Sequence, residues 1–260
     1  MKLLLKQLVC VVAALAWALS AQAGQPIMVG HRGCIVGVEN TAAAYRIGVD
    51  LMGYAGLECD VRVTADGHYV ICHDTDTKRL GGNLEVADAT LEQLLAETLK
   101  QKREGATYTG RLCTVEEYLD ICVEKNVFPI VELKWATGIN NNDMSKFDGL
   151  AQLIKERGLT QRVIFLTSMK KSLEYIRANY PEFPTLQWLC RDGWRDNVEW
   201  CVQWQFHHSI EGTCIDDTTV PTFHERGLHV ACWTIDNPAL LRSLVAKGVD
   251  YVTTNKLTEF

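Results

Sequence analysis

TVEEYLDICVEKNVFPIVELK, residues 114–134, contains a helix followed directly by a strand. Thr114 offers a capping hydroxyl to a helix running through Glu124, and the apolar run 128–133 reads as a strand. The strand closes on Glu132-Leu133-Lys134, and i, i+2 spacing puts Glu132 and Lys134 on one face. The same alternation continues outward in both directions. Upstream, 27–30 is a short β run, a helix starts at Asn40 or Thr41 and ends near Leu51, and 54–64 is the next strand. The Asp66-Gly67 turn then returns the chain through 69–73 as a hairpin-like extension. Downstream, strands are expected at 163–167, 185–189, 213–215, 229–234 and 251–253. Helices at 147–157, 171–179, 198–206, 222–226 and 238–246 lie between or before them. Residues 75–112 break the rhythm with Gly81-Gly82, a short helix near 91–99 and a charged stretch. They read as a small insertion after the second strand. Eight strands alternating with helices imply an α/β fold, a closed (β/α)8 TIM barrel forming one domain over 24–260.

The first 23 residues are expected to lie outside that fold. Lys2 and Lys6 precede an apolar run, 8–19, and Ala21-Gln22-Ala23 offers a small-x-small cleavage site. This is the pattern of a secretory signal peptide, so the chain is expected to be exported, to the periplasm or beyond, without stable membrane insertion after cleavage. The chain carries 26 basic and 32 acidic residues. Loss of the two leader lysines takes the net charge from −6 to −8. Such a balance argues against nucleic acid as the main partner and requires an anionic substrate to be attracted locally. Nine cysteines remain beyond Cys10, none in a C-x-x-C pair, which leaves a zinc ribbon without support. Cys59 and Cys72 are expected to face the helices, and an oxidising compartment would permit a disulfide or two. Oligomeric state is not legible in the sequence.

In such barrels the residues that finish strands converge on one face. Here they include His31, Glu58, Asp60, Glu132 and Lys134. Three carboxylates aimed at one pocket repel each other unless a cation sits among them, and an oxygen-only ligand set suits Ca2+ or Mg2+. Two histidines on short β-like segments, His31 and His73, titrate near neutral pH, as proton-transfer groups should. Arg32 can donate two parallel hydrogen bonds to a phosphate, and Lys134 can support the phosphate or the carboxylates.

The motifs His31-Arg32-Gly33, Glu39-Asn40-Thr41, Glu58-Cys59-Asp60, Asp66-Gly67 and His73-Asp74 together resemble the glycerophosphodiester phosphodiesterase family. The resemblance implies the same barrel, with Glu58, Asp60 and Glu132 as metal ligands and His31 and His73 as the acid-base pair. His31 is read as base and His73 as acid, the reverse order being the alternative. It implies a small-molecule glycerophosphodiester as substrate, hydrolysed to sn-glycerol 3-phosphate and an alcohol. Trp233-Thr234 resembles the family's Trp-Thr, which would make Trp233 a wall for the glycerol. Two departures stand out: relatives usually show Thr-Asp where Thr254-Asn255 stands, and a proline where Val38 precedes Glu39. Two other readings remain open, a phospholipase-like enzyme cleaving intact lipid or phosphoinositide head groups, and a non-catalytic barrel that captures phosphorylated ligands. His207-His208 is read as the end of a helix and its sequel, where adjacent side chains diverge, and so not as a metal pair.

Overall fold

The computed structural model describes residues 25–259, and the expected leader lies outside them. Strand β1 (Ile27–Gly30) leads to helix α1 (Ala42–Asp50), β2 (Gly56–Val63) and the short β3 (Tyr69–Ile71). The insertion carries α2 (Leu91–Ala96) and a hairpin of β4 (Leu99–Arg103) with β5 (Ala106–Gly110). Then follow β6 (Cys113–Thr114), α3 (Val115–Lys125), β7 (Phe128–Leu133), α4 (Phe147–Glu156) and β8 (Ile164–Thr167). The chain continues through α5 (Lys170–Asn179), β9 (Thr185–Cys190), α6 (Val198–Trp204) and β10 (His207–Glu211). It ends with α7 (Thr219–His224), β11 (Val230–Trp233), α8 (Pro238–Lys247) and β12 (Tyr251–Thr254). Strands β1, β2, β7, β8, β9, β10, β11 and β12 pair in parallel in that order, and β1 also pairs with β12. The eight-stranded barrel is therefore closed, as the alternation predicts.

Local chemistry explains the helix boundaries. Thr114 accepts from the Glu117 amide and the Glu117 side chain accepts from the Thr114 amide, a reciprocal cap that satisfies two otherwise unpaired donors. Asn126, in the left-handed region at φ 55°, ends the same helix. Asn237 caps α8, with Pro238 in its first turn. Tyr118 packs inward from α3, and its hydroxyl donates to the Leu57 carbonyl at 2.6 Å and accepts from the Ile130 amide at 3.0 Å. One helix side chain thus ties β2 to β7, the two strands that carry the carboxylates.

Alternation along the strands divides the core. Val29, Ile130, Ile164, Leu166, Ala231 and Tyr251 fill the barrel interior, while Leu57, Cys59 and Val61 of β2 pack against the helices. Cys59 therefore faces outward as expected. Cys72 instead packs beneath the insertion with Leu80, Val86 and Leu94, which have a small core of their own. None of the nine described cysteines is in a disulfide. Most of them are buried and behave as small apolar side chains.

The sixth barrel strand departs from the sequence reading. It is His207–Glu211, not 213–215, and residues 212–214 form a single 3-10 turn. The polar look of His207-His208-Ser209 conceals a buried strand. His208 is fully buried, stacks on Trp188 at 4.9 Å, and its Nδ1 lies 2.9 Å from the Trp188 carbonyl. His207 points the other way along the strand, and its Nδ1 accepts from the His229 amide.

Candidate active site

The turn after β1 is built around backbone that few residues can adopt. Arg32 (φ 52°) and Gly33 (φ 98°) both lie in the left-handed region. A Cβ on Gly33 would come within 2.7 Å of the Ala44 Cβ and 2.8 Å of its carbonyl carbon, so only glycine lets α1 pack this closely. The turn delivers the Arg32 amide to Glu58 Oε2 at 2.9 Å. Glu39, Asn40 and Thr41 each have a separate task. Glu39 accepts from Arg32 Nη1 at 3.0 Å, the Asn40 amide group donates to Asp60 Oδ2 at 2.8 Å, and Thr41 caps α1. Asn40 is itself fixed by Tyr45, whose hydroxyl donates to its Oδ1 at 2.8 Å.

Glu58, Asp60 and Glu132 come together at the carboxyl ends of β2 and β7, where Asp60 and Glu132 are register partners. One oxygen from each lies within 4.8 Å of the others. Lys134 Nζ sits 2.6 Å from Glu132 Oε1 and 3.1 Å from Asp60 Oδ1, and Arg32 Nε sits 3.2 Å from Asp60 Oδ2. The two Asp60 contacts are charge contacts rather than aligned hydrogen bonds. Glu58 Oε1 is buried with no hydrogen-bond partner at all. Burial, together with the charges of Asp60 and Glu132, holds the Glu58 carboxyl well above the ordinary range. Burial and the Asp60 charge raise Glu132 in the same way. Burial also acts on Asp60, but Lys134 and Arg32 outweigh it and hold that group low. Two cations thus serve three clustered acids, two of them buried, and the shortfall falls on Glu58 and Glu132.

The two histidines have different partners. His31 Nδ1 lies 3.0 Å from Asn255 Oδ1, and the Asn255 side-chain amide donates to Asp236 Oδ2 at 2.6 Å. Because a carboxylate only accepts, this fixes which end of the amide faces His31 and puts the imidazole proton on Nδ1. Burial first, and then the Arg32 charge, pull His31 down to about 4. His73 Nδ1 instead meets a carboxylate, Asp74 Oδ1, at 2.7 Å, and Asp74 Oδ2 accepts from Arg79 Nε at 2.6 Å. Burial lowers His73 as well, against the pull of Asp60.

A sequence profile of the glycerophosphoryl diester phosphodiesterase family matches residues 28–259. The chain belongs to this family. It is an enzyme, a glycerophosphodiester phosphodiesterase. The glycerophosphodiester phosphodiesterase of Caldanaerobacter subterraneus subsp. tengcongensis is 26% identical over 234 residues, covering 88% of this chain and 93% of that one. Two solved structures share the fold. One is a glycerophosphodiester phosphodiesterase from Parabacteroides distasonis, with a TM-score of 0.70 and 21% identity over 89% of this chain and 93% of that one. The other is an Oleispira antarctica phosphodiesterase in complex with the product sn-glycerol-3-phosphate, with a TM-score of 0.71 and 19% identity over 90% and 95% of the two chains.

Several residues of this phosphodiesterase that shape the site carry no motif. Arg79, Gln101 and Arg103, all from the insertion, donate to the Glu39 carboxylate at 2.6–3.1 Å. Burial alone would raise Glu39, but the hydrogen bonds from Arg79 and the Arg32 charge hold it far below the ordinary range. The insertion therefore braces the carboxylate that orients Arg32. Arg62 donates to the carbonyl oxygens of Cys72, His73 and Trp135, and so fixes the backbone beside His73. Alternation from Glu58 and Asp60 would have found Arg62, the next residue on that face. At Asn255 the departure from Thr-Asp brings a neutral amide to His31. Val38, where the resemblance would place a proline, is buried beneath the insertion. Trp233 ends β11 at the same mouth, with its indole N–H donating to the Ser209 carbonyl at 3.3 Å. Trp200 and Trp204 both pack on Phe206, a structural role.

Proposed function

We propose that this phosphodiesterase hydrolyses glycerophosphodiesters to sn-glycerol 3-phosphate and an alcohol, using His31 as general base and His73 as general acid. The observation that carries the reading is the difference between the histidines' partners. An amide behind a buried imidazole leaves it neutral with a lone pair on Nε2, the state a base needs. A carboxylate behind His73 favours the imidazolium form against the burial that lowers the group's pKa, and that form can release a proton from Nε2.

Arg32 is the phosphate-holding group. Glu39 and Asp60 grip part of its guanidinium and keep it oriented toward the carboxylate cluster. His31 takes the proton of the attacking oxygen as that oxygen bonds to phosphorus. The bond from phosphorus to the departing alcohol oxygen breaks, and His73 supplies the proton that oxygen needs. The net reaction consumes one water, whether water attacks first or resolves a cyclic phosphate made by the glycerol hydroxyl.

The orphaned, buried Glu58 Oε1 and the all-oxygen donor set fit a hard divalent cation, Ca2+ or Mg2+, held by Glu58, Asp60 and Glu132. When bound there, such an ion supplies positive charge that a phosphoryl oxygen can share in the transition state. Lys134 then serves to balance Asp60 and Glu132. Trp233 is the proposed wall for the glycerol. Residues 1–23 are proposed as an export leader. No helix among the described residues is long and apolar enough to cross a membrane.

The test follows glycerol 3-phosphate release from glycerophosphocholine, glycerophosphoethanolamine and glycerophosphoglycerol, with chelator and after Mg2+ or Ca2+ is returned. Release that stops with chelator and returns with the ion is expected. Release of phosphorylated head groups from intact lipid alone would favour a phospholipase-like enzyme, and tight binding without turnover would favour a binding barrel.

Asn255→Asp tests the base assignment. His31 at about 4 stays unprotonated through the mildly acidic range, so kcat/KM in the wild type should hold well below pH 6.5. Made together with Asp236→Asn, so that no second carboxylate shares its proton, the aspartate at 255 adds negative charge against Nδ1 and raises the His31 pKa. The acid limb of the variant's profile should move to higher pH by about one unit or more. An unmoved acid limb in an active variant would remove His31 as the base.

A further inference from the structure

A second cluster of donor side chains lies at the end of the barrel opposite the carboxylates, where the strands begin. His229 immediately precedes β11, Asp250 immediately precedes β12, and His224 closes α7, whose chain turns from there into β11. His224 Nε2 lies 2.8 Å from Asp250 Oδ2, and His229 Nδ1 lies 3.2 Å from Asp250 Oδ1. One ligand atom from each residue lies within 4.8 Å of the other two. We propose that His224, His229 and Asp250 form a metal site for Zn2+ or a similar borderline divalent cation, remote from the reaction.

The donor set argues for that class of ion. Two imidazole nitrogens and one carboxylate match the ligands zinc takes at about 2.0–2.2 Å, whereas Ca2+ and Mg2+ prefer oxygen. Tetrahedral ligands at that radius stand roughly 3.4 Å apart. The two contacts to Asp250 are already near that separation, so binding would require side-chain adjustment rather than rebuilding of the backbone. Just one acid is present, so the cluster does not depend on an ion to relieve repulsion, unlike the carboxylates at the barrel mouth.

The surroundings orient the ligands. Asp250 Oδ2 also accepts from the Val230 amide at 2.7 Å, which holds the carboxylate at the strand ends. His207 packs against His229 with ring centroids 4.8 Å apart and accepts from its backbone amide at 2.9 Å. Supporting contacts of this kind fix ligand rotamers. The side chains of His224, His229 and Asp250 are 40%, 33% and 24% exposed, so an ion can enter from solvent and keep a water as its fourth ligand. Bound there, it would clamp the end of α7 to the starts of β11 and β12.

The test uses the full chain, stripped by chelator, as wild type and as the Glu58→Gln/Glu132→Gln double variant, which disables the mouth cluster. Zn2+ alone is titrated by calorimetry, and Co2+ alone is followed by absorbance. The double variant should still bind one Zn2+, with a rise in Tm on its addition. Co2+ should give ligand-field bands without thiolate charge-transfer absorption, which excludes the cysteines as ligands. Adding either His224→Ala or Asp250→Asn should weaken Zn2+ at least ~10-fold. His224 sits at an exposed helix end, and Asn keeps an acceptor for the Val230 amide, so one variant checks the other for folding. Absence of Zn2+ binding in the double variant, or an affinity that neither added substitution changes from that of the double variant, would overturn the proposal.

Discussion

Replacing His31 with alanine lowers kcat by about 10^2- to 10^4-fold, the range over which one positioned proton-transfer group contributes. The loss should be the same for every leaving alcohol, because a base acts on the attacking oxygen. His73→Ala should lose a comparable factor on glycerophosphocholine, whose alcohol is a poor leaving group without a proton. On a glycerophosphodiester with an acidic phenol as the leaving alcohol, that variant should recover most of its rate, since a stable phenolate needs no proton donor. The contrast follows from the geometry. Asn255 presents a neutral acceptor to His31, while Asp74, itself gripped by Arg79, presents a charged one to His73. Steady-state rates of the two variants on the two substrates measure it. Recovery by His31→Ala instead of His73→Ala would reverse the roles, and rates within about tenfold of wild type for both would remove the pair from the chemistry.

The parts of the site legible in the sequence are those whose chemistry and position travel together. Glu58 and Asp60 share a strand face by spacing alone, as do Glu132 and Lys134, and the parallel barrel then brings the two strands side by side. The supporting residues are different in kind. Arg79, Gln101 and Arg103 reach Glu39 from 40, 62 and 64 residues away, out of an insertion whose sequence reads as charged surface. Asp236 and Asn255 meet only because β11 and β12 are neighbours. Pairings of that sort depend on loop paths, which periodicity does not encode. The missed strand at His207–Glu211 has another cause. His208 finds a buried partner in Trp188 and His207 packs on the half-buried His229, so residues that look solvent-facing in isolation are wholly or partly covered. Burial of polar residues is legible only once their partners are known.

Glu58→Gln is expected to move activity and metal-free stability in opposite directions. At the proposed metal site, loss of one oxygen ligand's charge should cost several kcal/mol of transition-state stabilisation, or about 10^3-fold in kcat/KM. The stability effect comes from the same carboxyl. Burial and the charges of Asp60 and Glu132 raise its native pKa, so in the metal-free protein it keeps a proton that the unfolded chain has released. Between the ordinary carboxyl value and the raised one, the native state binds more protons than the unfolded state, and stability falls as pH rises. The slope is ~1.4 kcal/mol per pH unit for one such group. Metal-free wild type should therefore lose Tm steadily from pH 5 upward. Glu58→Gln, which has no charge to expose, should lose it less steeply and be the more stable of the two at alkaline pH. Saturating Mg2+ or Ca2+ should restore the wild type at high pH and do less for the variant, because the ion stabilises only a native state that holds it. Melting curves from pH 5 to 9, with chelator and with ion, test this directly. Parallel curves for the two proteins without metal would mean that Glu58 is already charged and compensated in the native chain, with Lys134 and Arg32 sufficient for all three acids.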